Sequence, residues 1–222
     1  MNLLDAIGSN LSQFVYLSTF HVYGVNGHGI VTEKTPLAAT HPYATTHALS
    51  EHYISMYARQ KGYGTALIRL SNGYGAPLYA DVNRWTLVVN DLCRQAITQQ
   101  KIVLRSSGLQ VRDFVEMSDI IQAIELVVNR PKRDIQIYNV GGLKTYTVLD
   151  VAQTVQRIYT ELYAQHLPLE RPTPNLNEII KPLDYQCQPI QRLGYTPRTT
   201  LEHGIRETLK FCHQEFVDME QE

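Results

Sequence analysis

The sequence predicts an α/β fold built around a parallel sheet. Three short runs rich in β-branched and aromatic residues, at 14–18, 65–70 and 135–140, are apolar without strict alternation, which is typical of strands covered on both faces. Segments with helical periodicity lie between and after these runs. Since strands that alternate with helices along a chain pair in parallel, we expect one parallel sheet with helices packed against it.

Proline, glycine and apolar spacing indicate where the elements begin and end. Pro42 precedes a helix over 43–61, and Gly62 and Gly64 end it. The remaining predicted elements are the end of a helix at 3–7, helices at 85–99, 118–129, 148–159 and 201–216, and short strands at 102–104 and 111–115. The proline-rich segment 167–197 has little periodicity, so we expect a loop-rich lobe laid over the sheet there.

Composition excludes several classes of protein. The 222 residues carry 20 Lys and Arg against 21 Asp and Glu, and a net charge of −1 gives no electrostatic footprint for a nucleic acid or an anionic membrane. No apolar run reaches the roughly 18 residues of a membrane span. Cys93, Cys187 and Cys212 are widely spaced without a metal-ligand pattern. We therefore expect no metal site and a reducing, cytoplasmic environment.

Two pairs of residues stand where a ligand is expected. Thr19 and Asn72 follow the first two strands, and ligands of parallel α/β folds collect at the carboxyl ends of strands. Tyr43 and His47 lie four residues apart on the predicted helix, so both project from one face. A tyrosine beside a titratable group can act as a general acid or base. Taken alone the pair is weak evidence, because the same spacing is more often that of a surface tyrosine stacked on a histidine.

Several ordered motifs together resemble one family, the extended short-chain dehydrogenases/reductases, and within it the nucleotide-sugar epimerases and dehydratases. The segment 14–24 resembles the strand with the catalytic Ser or Thr, and 42–47 is similar to the family's Pro-Tyr-x-x-Ser-Lys segment. Further similar segments are 33–36, 69–75, 111–115, 138–141, 171–172 and 193–197. The resemblance covers essentially the whole chain.

The resemblance implies a fold and a division of the chain. It implies a partial Rossmann-like parallel sheet with helices, plus a small C-terminal substrate lobe, within one unit over 1–222. The core would comprise 1–78 and 112–164, and the lobe 79–111 and 165–222. In the family's strand order, residues 14–18 would form an exposed apolar edge. We therefore expect either a homodimer through the helix at 43–61 or a separately encoded N-terminal half.

The resemblance also implies an activity and its residues. The cofactor would be NAD or NADP and the substrate a nucleotide sugar, with hydride leaving a sugar carbon while Tyr43 takes the hydroxyl proton, assisted by Thr19. Tyr43 and His47 would contact the cofactor. Asn72, Arg112 and Arg171 would hold the nucleotide sugar. A non-catalytic module that binds nucleotide sugars or serves in assembly remains the alternative.

Two departures from the family pattern bear on the choice between an active enzyme and a non-catalytic module. The family's glycine-rich turn, which binds the cofactor pyrophosphate after the first strand, has no counterpart, because the glycines at 24–29 follow a different strand and are expected to form a substrate-side loop. The missing front part corresponds to on the order of 100 residues. His47 stands where the family has Lys, and a largely neutral imidazole would make Tyr43 a weaker acid or base.

Overall fold

The computed structural model describes residues 2–8, 10–175 and 177–218. In chain order the elements are α1 (Asn2–Ala6), β1 (Gln13–Thr19), a 3₁₀ helix (Phe20–Asn26), β2 (Gly29–Val31), α2 (Pro42–Lys61), β3 (Gly64–Leu70), β4 (Asn72–Tyr74), α3 (Val88–Thr98), β5 (Ile102–Val103), β6 (Val111–Glu116), α4 (Met117–Val128), β7 (Ile135–Val140), β8 (Thr145–Thr147), α5 (Val148–Tyr163), β9 (Leu169–Glu170), β10 (Leu183–Tyr185), α6 (Gln188–Gln191), α7 (Leu201–His213) and a π-helix (Gln214–Asp218). No described helix is both long and apolar enough to span a membrane.

The central sheet has the strand order β1-β3-β7, and both pairings are parallel. The predicted parallel α/β architecture is therefore confirmed. Residues 14–18, however, are not buried on both sides, because β1 pairs with β3 alone among the described strands and Leu17 is 44% exposed. This matches the apolar edge that the family resemblance predicts. The edge presents unpaired backbone groups to whatever lies beside it.

Smaller sheets surround the carboxyl end of the central sheet. The first has the order β4-β6-β8, with β4 parallel and β8 antiparallel to β6. The second joins β2 to β10, and the third joins β5 to β9, so short strands from the segment 167–197 complete both. The register places Asn72 opposite Phe114 and Arg112 opposite Tyr146. Two of the predicted ligand-binding residues, Asn72 and Arg112, thus lie on strands, whereas Arg171 follows the end of β9.

Helix α2 positions the predicted catalytic pair. Pro42 occupies its first turn, and the His41 imidazole accepts a hydrogen bond from the Ala44 backbone N–H over 3.4 Å. The helix ends at Gly62, whose φ of 77° lies in the left-handed region that favours glycine. Its buried residues are Ala44, Glu51, Ile54 and Ala58, which follow helical spacing.

Two local predictions were wrong. The helix predicted at 85–99 begins at Val88, because the buried Trp85 indole donates a hydrogen bond to the Ala80 carbonyl over 2.9 Å and holds the chain in a turn. The segment 24–29, expected to be a loop, instead ends a 3₁₀ helix and leads into β2. Gly24, at a φ of 51°, lies so near Ala38 that an added Cβ would fall 1.7 Å from the Ala38 carbonyl oxygen.

Candidate active site

Tyr43 and His47 lie together on the first turns of α2, as their spacing predicts. Their rings meet edge to face with centroids 4.6 Å apart. Tyr43 is 55% exposed, and its hydroxyl has no hydrogen-bond partner among the described residues. His47 is half-buried, and its Nδ1 lies 2.9 Å from the hydroxyl of Tyr16 on β1. The tyrosine hydroxyl is therefore free to reach a ligand, while the imidazole is fixed to the sheet.

Thr19 ends β1 next to this pair. It is buried, and its Oγ1 accepts a hydrogen bond from the His21 backbone N–H over 3.3 Å, which caps the 3₁₀ helix. The His21 ring lies 6.2 Å from the Tyr43 ring and 5.4 Å from the His41 ring, centroid to centroid. The structure thus brings Thr19, Tyr43 and His47 to one edge of the molecule. It adds two imidazoles, His21 and His41, that the sequence did not single out.

Electrostatics keep two of these imidazoles uncharged at neutral pH. Burial lowers the pKa of His47, against the charge of Glu51, which raises it. Burial also lowers the pKa of His21, and the charges of His41 and Arg112 lower it further. Since an unperturbed histidine is already mostly neutral at pH 7, both rings are neutral there. Tyr43 accordingly has no fixed cation at the position where the family has Lys.

A buried ion pair that the sequence did not reveal anchors α2 to β3. Arg69 Nη2 donates to Glu51 Oε2 over 2.7 Å, and Arg69 Nε donates to Glu51 Oε1 over 3.0 Å, with both side chains only 4% exposed. Arg69 Nη1 also donates to the Tyr23 hydroxyl, which donates in turn to Asn139. Two features of the sequence could have indicated this ion pair. Arg69 is a charged residue inside an apolar strand, and Glu51 is a charged residue on the buried face of a helix.

Arg112 lines a cavity of about 430 Å³ between β6 and α3. The cavity is also lined by Arg94 and Arg105, and its acidic residue is Asp91, which pairs with Arg94 over 3.5 Å. Neither Arg112 nor Arg105 has a hydrogen-bond or ion-pair partner among the described residues. Burial lowers the pKa of the Arg112 guanidinium, as expected for a cation that lacks an anion. The cavity therefore has an unbalanced positive charge.

The other two predicted ligand-binding residues lie outside the lining of this cavity. Asn72 is half-buried, and its Nδ2 donates to the Asp113 carbonyl over 2.8 Å, so the side chain fixes β6 beside Arg112. Arg171 is exposed, and its Nη1 donates to the Ser107 carbonyl over 2.7 Å. Their role as nucleotide-sugar contacts stays a prediction.

Comparisons with known proteins identify the family of this chain. A model described as the NAD dependent epimerase/dehydratase family matches residues 1–141. The chain belongs to this family. The family resemblance seen in the sequence is thereby confirmed.

Two curated members of the epimerase/dehydratase family are similar over most of this chain. It is 26% identical over 215 residues to dTDP-D-glucose 4,6-dehydratase of Homo sapiens, which covers 94% of this chain and 58% of the relative. It is 29% identical over 208 residues to dTDP-glucose 4,6-dehydratase of Xanthomonas campestris, covering 89% and 56%. The chain therefore spans less than two thirds of the length of these relatives.

Solved structures of the family have the same fold. UDP-glucuronic acid 4-epimerase from Bacillus cereus, in complex with NAD, superposes with a TM-score of 0.77 at 22% identity, covering 96% of this chain and 65% of that one. UDP-glucose 4-epimerase from Thermotoga maritima, with UDP-glucose, gives a TM-score of 0.74 at 21% identity, covering 92% and 64%. These likenesses confirm the Rossmann-like α/β fold.

The glycine segment of this family member does not fit a dinucleotide pyrophosphate. The space beside Gly24 is filled by the Ala38 backbone, and a Cβ on Gly27 would lie 3.0 Å from the Phe20 ring. A strand, β2, follows the segment, whereas a pyrophosphate site uses the N-terminus of a helix. Tyr43 and His47 as contacts to the nicotinamide end stay a prediction. Within the described residues, no cluster of three or more His, Cys, Asp and Glu could hold a metal ion.

The Asp113 carboxyl, next to Arg112 on β6, is bonded to the segment that follows β7, and its pKa is raised. Its side chain is 1% exposed, and Oδ1 accepts a hydrogen bond from the Gly142 backbone N–H over 2.9 Å, while Oδ2 has no partner among the described residues. Burial raises the pKa of Asp113 to about 7, although the nearby Ser71 hydroxyl and, to a smaller extent, the hydrogen bond from Gly142 lower it. The folded state therefore binds this proton more tightly than the unfolded chain, whose carboxyl titrates near 4.

We expect this carboxyl to make stability depend on pH. Its contribution is complete below pH 4 and is lost as the pH rises through 7, so the unfolding free energy falls by about 2–3 kcal/mol between pH 5 and pH 8. Asp113→Asn keeps the acceptor for Gly142 and removes the titration. Urea unfolding at pH 5, 6, 7 and 8 should show a flatter profile for the variant than for the wild type. Identical slopes would contradict the assignment.

Proposed function

We propose that this chain binds a nucleotide sugar and supplies the proton-transfer tyrosine of an NAD(P)-dependent epimerase or dehydratase. The observation that carries the proposal is the half-buried, unpartnered Arg112 in a cavity with excess positive charge. Family membership supports the reaction class. The names of the relatives, a 4,6-dehydratase and two 4-epimerases, support a sugar nucleotide as the substrate.

The cavity suits the nucleotide diphosphate. Its volume of about 430 Å³ lies within the range of small-ligand pockets. Arginine binds phosphate oxygens through two parallel N–H donors, and Arg112 has donors that no described residue uses. Apolar lining from Leu92, Val103 and Leu104 would pack against the base and ribose. We infer that Arg112 receives the diphosphate, with Arg105 as a second cation.

The sugar would then lie towards Tyr43. Arg112 lines the cavity, and its charge also acts on His21, whose ring lies 6.2 Å from the Tyr43 ring, which supports a path from the cavity towards the tyrosine cluster. In this arrangement Tyr43, acting as its phenolate, would take the proton of a sugar hydroxyl and become a neutral phenol, and Thr19 would hydrogen-bond the same sugar hydroxyl. Arg112 orients the substrate from a distance.

The cofactor would be NAD or NADP, with its pyrophosphate bound outside the described residues. This part of the proposal follows from the family and from the poor fit of residues 24–29. Titration of the full chain with NAD⁺ tests where the pyrophosphate binds. We expect no micromolar binding, because such binding would require a pyrophosphate site that the described residues do not form.

The proposal includes a partner and a compartment. Leu49, Tyr53 and Met56 form an exposed apolar stripe on α2, which supports a homodimer through this helix. The edge of β1, unpaired among the described strands, supports instead an N-terminal half that extends the sheet. The three cysteines are unpaired and buried, which supports a reducing cytoplasm.

One observation favours the second candidate function, a non-catalytic module that binds nucleotide sugars. Burial lowers the pKa of His47, so the residue beside Tyr43 is a neutral imidazole. Without a nearby fixed cation, the tyrosine loses the electrostatic support that would ease its ionisation. Binding through Arg112 would persist in such a module, while turnover would be absent.

The experiment that tests the proposed function is calorimetric titration with UDP-glucose and dTDP-glucose. We expect Arg112→Gln to weaken binding by about 10- to 100-fold, because the diphosphate loses charge-assisted hydrogen bonds. Arg59→Gln makes the same change of charge at an exposed position of α2 and should bind like the wild type. Wild-type protein that binds neither nucleotide sugar, or Arg112→Gln protein that binds as tightly, would overturn the proposal.

A further inference from the structure

The residue that holds His47 lies on a different element. Tyr16 projects from β1 towards α2, and its hydroxyl oxygen is 2.9 Å from His47 Nδ1, with ring centroids 5.8 Å apart. Tyr16 packs in the apolar cluster formed by Leu4, Ile54 and Leu67. The phenol is therefore fixed by the sheet, and its hydroxyl is aimed at one atom of the imidazole.

The direction of this hydrogen bond follows from donor accounting. A neutral imidazole carries one N–H and one acceptor nitrogen, whereas a phenol has a single O–H. No other acceptor for the Tyr16 hydroxyl is found among the described residues, so the phenol donates and Nδ1 accepts. The imidazole proton then resides on Nε2, for which the described residues provide no partner.

Burial of His47 favours this neutral form, while the charge of Glu51 acts against it. Tyr16 faces it from β1, Tyr43 and Glu51 face it from α2, and the charge of Glu51 is neutralised by Arg69 of β3. Burial lowers the pKa of His47, so the ring is uncharged at neutral pH. A donor to Nδ1 stabilises the same form.

We infer that Tyr16 is a positioning residue that fixes His47 as the neutral Nε2–H tautomer, so that position 47 offers a hydrogen-bond donor without charge to a ligand hydroxyl beside Tyr43. This inference rests on the proposed function for the identity of the ligand. In this inference His47 is the hydrogen-bond donor to the ligand, and Tyr16 holds it in the tautomer that can donate. The arrangement requires both residues, since phenylalanine at position 16 would leave the ring free to exchange tautomers.

The test is ¹⁵N NMR of histidine-labelled full chain, with His47→Gln used to assign the His47 resonances. In the wild type we expect a protonated Nε2 and an unprotonated Nδ1. In Tyr16→Phe the ratio of the Nε2–H to the Nδ1–H tautomer should fall about fivefold, the equivalent of one ordinary hydrogen bond, and the pKa of His47 should rise. Tyr57→Phe removes another phenol, which donates to Asp5, and should leave His47 unchanged.

Adding UDP-glucose tests the ligand side. The wild-type Nε2 resonance should shift on binding, and the shift should shrink in Tyr16→Phe. A wild-type Nδ1–H tautomer, or an unchanged ratio in Tyr16→Phe, would overturn the inference. The tautomer of the wild type and the tautomer ratio in Tyr16→Phe are both measured without turnover and before UDP-glucose is added, so failure of this inference is distinguishable from failure of nucleotide-sugar binding through Arg112.

Discussion

Glu51→Ala is expected to lower the unfolding free energy by about 3–5 kcal/mol, because it leaves the Arg69 guanidinium buried without its anion. Both members of this pair are 4% exposed at the side chain, and Arg69 makes hydrogen bonds with both carboxylate oxygens. Urea unfolding at pH 7 measures the loss. The change would also loosen the contact of α2 with β3. Because α2 carries Tyr43 and His47, their position relative to Thr19 would then be less fixed.

The matched control for this change is Glu161→Ala. Glu161 also forms two ion pairs, with Arg157 over 2.7 Å and with Arg206 over 2.5 Å, but all three side chains are substantially exposed. Solvent screens such pairs, so the loss of unfolding free energy should be much smaller than at Glu51. Equal losses at Glu51 and Glu161 would contradict the view that burial makes the Glu51 pair important.

Tyr43→Phe should reduce turnover of the nucleotide sugar by about 10²- to 10⁴-fold, the usual range for loss of a general acid or base. Affinity for the nucleotide sugar should change little, because the aromatic ring at position 43 and Arg112 both remain. Turnover is measured with NAD⁺ and the nucleotide sugar on the wild type and the variant in parallel.

Tyr53→Phe provides the control, since Tyr53 is an exposed tyrosine on the same helix. Its turnover should equal that of the wild type. If Tyr43→Phe retained full turnover, Tyr43 would not be the proton-transfer residue. If wild-type protein bound both ligands without turnover, the non-catalytic module would be the better description.

The central elements of the fold could be predicted from the sequence because their signals are local. The runs at 65–70 and 135–140 contain β-branched residues without alternation, and both lie in the parallel sheet. The start of α3 could not be predicted, because it depends on where the Trp85 indole finds its acceptor, the Ala80 carbonyl. The division into a core and a lobe stays a prediction.

In the candidate site, too, some features could be predicted from local sequence patterns and others could not. Thr19, Tyr43 and His47 could be predicted from motif order and helical spacing, and the structure brings them to one edge. The partnerships of Tyr16 with His47 and of Glu51 with Arg69 join residues 31 and 18 positions apart. Such pairs depend on how α2 docks on the sheet, which no local pattern encodes.

The position of Arg112 links ligand binding to protonation. Burial is the main cause that lowers the pKa of His21, and the charges of His41 and Arg112 lower it further, so an anion that neutralised the guanidinium would raise that pKa part of the way back. Binding of a diphosphate and protonation of His21 would then favour each other, and by thermodynamic reciprocity acid conditions would tighten the binding. A single arginine would in this way couple substrate capture to the protonation of a ring beside Tyr43.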